Sequence, residues 1–236
     1  MKILVMMPTY NEIETIETSV EKLFTYNPEV DLLIIDDNSP DGTGALANHL
    51  STENSRIQVL HRSGKEGLGQ AYIAGYRYGI SHNYDMLVQM DADGSHRAED
   101  LKHLIAAASS FDLVIGSRWI PGGAVSNWPW YRQGISQAGN WYASKALGLN
   151  INDTTAGFRV YRSSLLQRID LDQIRAQGYG FQVEMTLRSQ QLGAEICEVP
   201  ILFIERENGR SKMTLAIVLE AFVLATKWGI ERLIRR

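Results

Sequence analysis

The chain has 236 residues, a formal net charge of −4 at pH 7 and a single cysteine, Cys197. This length suits one α/β domain with a sizeable core, and the acidic balance argues against a general nucleic-acid-binding protein. One cysteine excludes an internal disulfide and a cysteine-rich zinc site.

The chain begins directly with a predicted buried strand, Ile3 to Met7. Its start lacks the long apolar segment and cleavage signature of a secretory signal, so we predict a cytoplasmic protein. Pro8 to Glu12 forms the predicted turn after this strand. The next stretch carries apolar residues on one helical face, from Ile13 to Phe24.

Further apolar runs alternate with helical patterns through residue 118. The predicted strands cover residues 31–37, 57–60, 86–90 and 113–116. Such alternation favours a mostly parallel sheet flanked by helices, with its ligand at the carboxyl ends of the strands.

Two of these strands end in acidic turns. Asp36 and Asp37 follow the second strand, and Asp91-Ala92-Asp93 follows the fourth. A D-x-D turn at a sheet edge aims two hard oxygen ligands at one point, and Mg²⁺ is commonly held by one or two carboxylates together with substrate phosphates. We interpret the turn as a site for a metal-bridged diphosphate. The alternative is a simple helix cap, because Asp, Gly and Ser are ordinary between a strand and a helix.

One glycine motif points elsewhere. Residues 42–47 match G-x-G-x-x-A, a fingerprint of dinucleotide binding. The turn after the first strand has no glycine, however, and the third strand ends at His61-Arg62 with no acidic residue to hold a ribose. We therefore set this reading aside.

The second half of the chain is less regular. Residues 119–130 predict an aromatic loop, and its three indoles, Trp119, Trp128 and Trp130, suit either a core patch or a membrane-facing belt. The elements predicted after the loop are a helix over 131–147, a strand over 156–161, a helix opening at Tyr179 and a late strand over 195–204.

A basic loop and an amphipathic segment end the chain. Residues 205–212 contain a glycine and three basic side chains, which suit a solvated turn or an anion clamp. The apolar run over residues 213–226 is too short and too interrupted to span a bilayer. The pattern of residues 213–236 predicts an amphipathic helix that lies on a membrane surface, packs on the sheet or forms a dimer contact. We therefore divide the chain into a domain over 1–212 and a helix over 213–236.

Several motifs together resemble family 2 inverting glycosyltransferases. They are P-x-Y-N-E after the first strand, D-D-N-S-P-D-G after the second, G-L-G before a helix, the D-x-D turn and a late G-x-S-K, spread over residues 3–212. The resemblance is strongest to polyprenyl-phosphate (dolichol-phosphate) mannose synthases. It implies a nucleotide-sugar-binding GT-A domain, which agrees with the predicted α/β fold.

The resemblance implies a role for each matching position on the donor side. The nucleoside pocket would comprise Pro8, Tyr10, Glu12, Ile35 and Asp37. The nucleotide and metal turn would comprise Asp91, Ala92 and Asp93, with Mg²⁺ or Mn²⁺ on the two aspartates and with Ser95 where many relatives carry a glutamine ligand.

The resemblance also implies roles for four basic residues that would bind phosphate groups. Arg206 and Lys212 would clamp the donor diphosphate, while Arg118 and Arg132 would bind the phosphate of a lipid acceptor. The implied reaction moves mannose from GDP-mannose to a polyprenyl monophosphate at the cytosolic face of a membrane, with Asp93, Arg118 and Arg132 as catalytic residues. Because the acceptor phosphate is already ionised, no general base is required, which agrees with the lack of an obvious His–acid pair.

Other functions remain open at this stage. A family 2 enzyme with another donor, such as UDP-glucose, would keep the same mechanism. One with a soluble acceptor would need a catalytic carboxylate from residues 153–184, such as Asp153 or Glu184. A regulatory protein would bind a nucleotide sugar without turnover. A nucleotidyltransferase is disfavoured because the turn after the first strand lacks a glycine-rich, lysine-bearing loop. The oligomeric state is not predicted.

Overall fold

The fold is built on a seven-stranded, mostly parallel sheet. A computed structural model describes residues 1–176, 178–205, 223 and 225–230. The strands are β1 (Ile3–Thr9), β2 (Asp31–Asp36), β3 (Ile57–His61), β4 (Met86–Gln89), β5 (Leu113–Ser117), β6 (Ala124–Ser126), β7 (Arg159–Arg162), β8 (Ile196–Pro200) and β9 (Leu202–Ile204). The large sheet has the order β3-β2-β1-β4-β7-β5-β8, and β6 pairs with β9 in a small parallel ribbon.

Helices cover both faces of the sheet. They are α1 (Ile16–Tyr26), α2 (Thr43–Glu53), α3 (Leu68–Ser81), α4 (Ala98–Ala107), α5 (Trp130–Leu147), α6 (Ser163–Leu166) and α7 (Gly178–Gln191), with a 3-10 turn over Leu171–Gln173. No helix in the described ranges is both long and apolar enough to cross a bilayer. The predicted fold class, a mostly parallel α/β domain, is confirmed.

The central strands are buried on both faces, which explains their continuous apolar runs. Along β2, Leu33 and Ile35 enter the core on one side of the sheet, and Leu32 and Ile34 enter the core on the other. Helix α3 packs especially close, because a Cβ atom at Gly79 would lie 2.1 Å from a methyl group of Leu87. This contact fixes α3 against the strand that leads to the D-x-D turn.

Strand β7 is the exception to parallel order. It lies between β4 and β5 and runs antiparallel to both, with Val160 opposite Val88 and Val114. Because β7 runs the opposite way, its first residues lie at the edge where β4 and β5 end. The segment that precedes β7 is therefore placed at the ligand edge of the sheet.

Two local predictions need correction. The late strand predicted over 195–204 is two strands, β8 and β9, which belong to different sheets and are separated by Ile201. The predicted irregular loop over 119–130 contains β6, which forms because β9 supplies a parallel partner. Residues 42–47 lie at the N-cap and first turns of the ordinary helix α2, which agrees with setting the dinucleotide fingerprint aside.

The described part of the C-terminal segment packs on α5. Ala225 is 1% exposed, the hydroxyls of Thr226 and Tyr142 lie 2.7 Å apart, and a Cβ atom at Gly229 would lie 2.9 Å from the Ala146 carbonyl. Residues 225–230 thus form a helical turn that docks on α5, whereas the alternative stated above was packing on the sheet. The predicted boundary at residue 212 and most of 213–236 lie outside the described residues.

Candidate functional site

A cleft of about 430 Å³ lies at the carboxyl edge of the sheet. Its size falls in the range of small-molecule sites, about 300–1,000 Å³. The turns after β1, β2 and β4 supply one end of its lining, with acidic side chains Glu12, Asp37, Asp91 and Asp93. The segment after β5 and the start of α5 supply Arg118 and Arg132 at the other end. The cleft therefore combines an acidic end with a basic end.

The two aspartates after β2 have different roles, because Asp36 bonds neighbouring turns and Asp37 lines the cleft. Asp36 is 2% exposed and accepts hydrogen bonds from Ser39 Oγ at 2.6 Å and from Thr9 Oγ1 at 3.2 Å, so it fixes the turns after β1 and β2. Asp37 lines the cleft and pairs with Arg62 at 2.5 Å. Burial raises the pKa of Asp37, and the Arg62 guanidinium offsets part of this rise.

The D-x-D turn is held from several sides. Tyr72, buried on α3, donates to Asp91 Oδ1 at 3.3 Å, and the Asp91 amide donates to His96 Nδ1 at 3.0 Å. Burial and the nearby Asp91 carboxylate raise the pKa of Tyr72 well above its usual value, so the phenol remains a donor. The His96 ring stacks on Phe158 at 4.8 Å between ring centres, and its Nε2 lies 3.9 Å from Asp91 Oδ2.

The second carboxylate of the turn bonds the backbone of Ser95, a residue whose hydroxyl is unsatisfied. Asp93 Oδ1 accepts from the Ser95 amide at 3.0 Å, whereas Ser95 Oγ is buried without a hydrogen-bond partner among the described residues. Asp91, Asp93 and Ser95 all line the cleft. In the described ranges no three His, Cys, Asp or Glu side chains form a complete metal cage. Two carboxylates with one orphaned hydroxyl fit a hard divalent cation that completes its ligand set with substrate oxygens.

Arg118 is held by a buried carboxylate that sequence reasoning did not pair with it. Asp153 Oδ2 accepts from the Arg118 amide at 2.9 Å and from Nε at 2.7 Å, and its Oδ1 accepts from Nη2 at 2.7 Å. Asp153 is fully buried and Arg118 is 6% exposed. Although burial lowers the pKa of Arg118, the Asp153 charge outweighs this effect and raises it, so the guanidinium stays charged.

The loop that carries Asp153 is fixed in turn by two neighbouring elements. Glu198 on β8 accepts from the backbone amides of Asn152 and Asp153 at 2.8 and 2.9 Å. Asn140 on α5 accepts from the Thr155 amide at 3.1 Å. The loop therefore holds Arg118 as a preorganised group at the cleft wall.

Arg132 lies at the mouth of the cleft. Its guanidinium pairs with Glu205 and lies 3.9 Å above the centre of the Trp128 ring. Trp128 is 8% exposed, whereas Trp130 is 84% exposed. The predicted aromatic loop thus divides its indoles between the core and the surface.

A second, narrower cavity of about 120 Å³ adjoins the basic end of the cleft. Arg118, Trp128 and Arg132 line both cavities. The second cavity continues along α5 past Ile135 and Ala143, and its walls are mainly apolar. The two arginines therefore lie where the main cleft meets an apolar groove.

The structure brings together most of the predicted site residues. Pro8, Tyr10 and Ala92 line the cleft together with the predicted carboxylates, the two arginines and Ser95. Ile35 does not reach it, because its side chain is fully buried in the core beneath α3. Arg206 and Lys212 lie outside the described residues.

Sequence reasoning missed other residues of the cleft. Lys65, whose ammonium lies 4.2 Å from the centre of the Tyr10 ring, and Gln182 both line it. Lys65 follows a glycine in the loop after β3, a weak signal for a binding loop. The two carboxylates suggested for a soluble acceptor, Asp153 and Glu184, are both engaged: Glu184 is 4% exposed and accepts from Arg188 at 2.6 Å.

Comparison with known proteins agrees with this arrangement. Residues 4–170 match the glycosyl transferase family 2. The chain is 53% identical over 230 residues to an undecaprenyl-phosphate mannosyltransferase of Micrococcus luteus, covering 98% of this chain and 95% of that protein. It is 47% identical over 229 residues to a polyprenol monophosphomannose synthase of Mycolicibacterium smegmatis, covering 96% and 86%.

Solved structures share the fold at low sequence identity. A glucosyl-3-phosphoglycerate synthase from Mycobacterium tuberculosis in complex with Mn²⁺, UDP and glucosyl-3-phosphoglycerate superposes with a TM-score of 0.71 at 18% identity, over 96% of this chain and 79% of that chain. A mannosyltransferase from Pyrobaculum calidifontis in complex with GDP-Man and Mn²⁺ gives 0.61 at 16% identity, over 99% and 74%. With its GT-A type fold and these relatives, the chain belongs to glycosyltransferase family 2.

Proposed function

We propose that this protein transfers mannose from GDP-mannose to the phosphate of a polyprenyl monophosphate, with inversion at the anomeric carbon. One observation carries the proposal: the cleft joins a D-x-D turn to two arginines at the entrance of an apolar groove. A nucleotide sugar suits the first part, and a phosphate attached to a hydrocarbon chain suits the second. The names of the two relatives at 53% and 47% identity support the same substrates.

The donor would occupy the acidic end. Tyr10 and Asp37 offer a ring face and a carboxylate to the base and ribose, while Asp91 and Asp93 face the diphosphate. A diphosphate beside these carboxylates needs a cation between them. Asp91, Asp93 and the Ser95 hydroxyl would hold Mg²⁺ or Mn²⁺, which when bound stabilises negative charge on the departing diphosphate. Arg206 and Lys212 remain the proposed diphosphate clamp.

The acceptor phosphate would lie between Arg118 and Arg132. Because Asp153 fixes the orientation of Arg118, the phosphate meets a guanidinium that needs little reorganisation. An ionised phosphate oxygen is already nucleophilic, so attack on the anomeric carbon requires no proton transfer to a protein base. Bond formation opposite the departing GDP inverts that carbon.

The prenyl chain would follow the apolar groove along α5 toward a membrane surface. Trp130, Tyr131 and Trp141 on α5 are 84%, 57% and 65% exposed. Exposed indole and phenol rings suit the boundary between water and lipid. This placement extends the membrane-surface prediction from the C-terminal segment to α5, and we assign the cytosolic face.

A transfer assay tests the proposal. Purified protein is incubated with Mg²⁺ or Mn²⁺, a short polyprenyl phosphate in detergent, and GDP-mannose or UDP-glucose labelled in the sugar. We expect label in the lipid phase from GDP-mannose and none after EDTA is added. Unphosphorylated polyprenol and 3-phosphoglycerate serve as control acceptors.

Each contrary result selects another function. Lipid product from UDP-glucose alone would retain the mechanism and replace the donor. Product with 3-phosphoglycerate alone would favour a soluble acceptor, and donor binding without any product would favour a regulatory protein. The engaged state of Asp153 and Glu184 weighs against the soluble acceptor, because neither carboxylate is free to act as a base.

A further inference from the structure

Gln182 presents a buried amide to the cleft. The residue is 2% exposed, and its side chain lines the cleft wall formed by α7. Neither Nε2 nor Oε1 has a hydrogen-bond partner within the described part of the chain. Buried polar atoms in folded proteins are nearly always hydrogen-bonded. An amide that lacks partners at the wall of a binding cleft therefore points to a ligand that supplies them.

The backbone of Gln182 is held firmly beneath this side chain. Its carbonyl oxygen accepts from Arg159 Nη1 at 3.1 Å and from Thr186 Oγ1 at 2.9 Å. Arg159 is fully buried and also donates to the carbonyl oxygens of Thr154 and Ala156. The amide is thus carried on a rigid support that links α7 to the loop before β7.

Gly157 lies beside both the amide and His96. A Cβ atom at Gly157 would lie 3.9 Å from Gln182 Nε2 and 3.5 Å from His96 Cε1. His96 is itself bonded to the Asp91 amide. Gln182 and His96 therefore lie on either side of Gly157, so the Gln182 amide is close to a residue that holds the D-x-D turn.

We propose that the Gln182 amide recognises hydroxyl groups of the donor hexose and is a specificity-determining residue for the sugar. The inference rests on the proposed function, since it concerns the same donor. An amide offers donors and an acceptor together, and neighbouring sugar hydroxyls match both. A phosphate accepts hydrogen bonds but donates none when ionised, so it would leave Oε1 without a partner.

The test replaces the amide while preserving its volume. Gln182→Met removes the hydrogen-bonding atoms, and Gln191→Met places the same substitution at the exposed end of the same helix as a control. We expect Gln182→Met to lower kcat/KM for GDP-mannose by at least about 10-fold, because the hexose hydroxyls lose their hydrogen-bond partners on the protein. The affinity for GDP alone should change by less than about 2-fold.

Thermal unfolding separates recognition from a structural role. Because the amide has no hydrogen-bond partner in the described part of the protein, Gln182→Met should not lower Tm. If the glutamine had a structural role, the substitution would lower both Tm and the affinity for GDP. Wild-type kcat/KM in Gln182→Met, or a parallel loss of Tm and GDP binding, would overturn the inference.

Deoxy donors identify the hydroxyl and keep the two hypotheses distinguishable. We compare GDP-mannose analogues that each lack one hydroxyl, using the wild type and Gln182→Met. For the hydroxyl that Gln182 binds, removing both the hydroxyl and the amide should lower kcat/KM by no more than removing either one alone. If the wild type forms no polyprenyl-linked sugar, the proposed function fails, but the affinity difference between GDP-mannose and GDP still tests Gln182. The inference is contradicted if the wild type binds GDP-mannose and GDP equally well, or if Gln182→Met leaves the difference between these two affinities unchanged.

Discussion

The buried pair of Arg118 and Asp153 predicts a coupled loss of stability and turnover. Asp153→Asn keeps the shape of the side chain but removes the charge that receives three hydrogen bonds from Arg118. Both side chains are at most 6% exposed, so water does not replace the lost charge. Removing one partner of a buried pair costs about 3–5 kcal/mol, which for a domain of this size lowers Tm by about 6–20 °C.

A double-mutant cycle shows whether the pair is the cause. Asp153→Asn, Arg118→Gln and the combined variant are unfolded thermally and chemically, and their free energies of unfolding are compared with the wild type. The double variant should be less destabilised than the sum of the single variants, by about 1–3 kcal/mol. Asp153→Asn should also reduce kcat with polyprenyl phosphate, because the guanidinium loses its fixed orientation.

The matched control lies on the exposed surface. Asp172 is 84% exposed and pairs with Arg77, so Asp172→Asn tests the loss of an exposed ion pair and should change stability by at most about 1 kcal/mol. Additive free energies in the cycle, or a wild-type Tm and kcat in Asp153→Asn, would refute the argument that Asp153 stabilises and orients Arg118.

Three further predictions concern the metal turn, the nucleoside pocket and α5. Asp93→Ala should abolish turnover with an unchanged Tm, because the residue lies at the cleft; near-normal rates at saturating Mn²⁺ would contradict its proposed role. Burial raises the pKa of Asp37, so GDP affinity should begin to fall on acidification at a pH above the usual carboxylate range, and Asp37→Asn should remove that pH step; a wild-type profile in the variant would assign the step to another group. Combined Trp130→Ser and Trp141→Ser should reduce flotation with anionic vesicles, whereas Tyr26→Ser, which alters an exposed ring on α1, should not; equal binding by all variants would argue against α5 as the membrane face.

The first half of the fold was predictable because its strands are buried on both faces. Such strands give continuous apolar runs, and each ends abruptly in polar residues that mark the ligand edge. For the same reason, the apolar runs do not indicate which side chains reach the cleft. Ile35 ends an apolar run on β2, so the pattern did not show that the Ile35 side chain points into the core and away from the cleft.

The contacts of the second half depend on distant pairing. Asp153 and Arg118 are 35 residues apart, and no local periodicity links them. The position of β7 between β4 and β5 is set by pairing across the sheet, which short apolar runs do not encode. Gln182 was equally hidden, because its importance lies in what surrounds the amide rather than in the residue type.

The reversed strand β7 also joins two parts of the site that come from different regions of the chain. The turns after β1, β2 and β4 come from residues that precede Arg118, whereas the loop before β7, the start of α5 and the wall of α7 come from residues that follow it. The strand joins them with few side chains of its own in the cleft. Changes of acceptor or of donor sugar can thus accumulate along residues 119–205 while the parallel strands that lead to the D-x-D turn keep their packing. The same fold can therefore serve transferases that form different products.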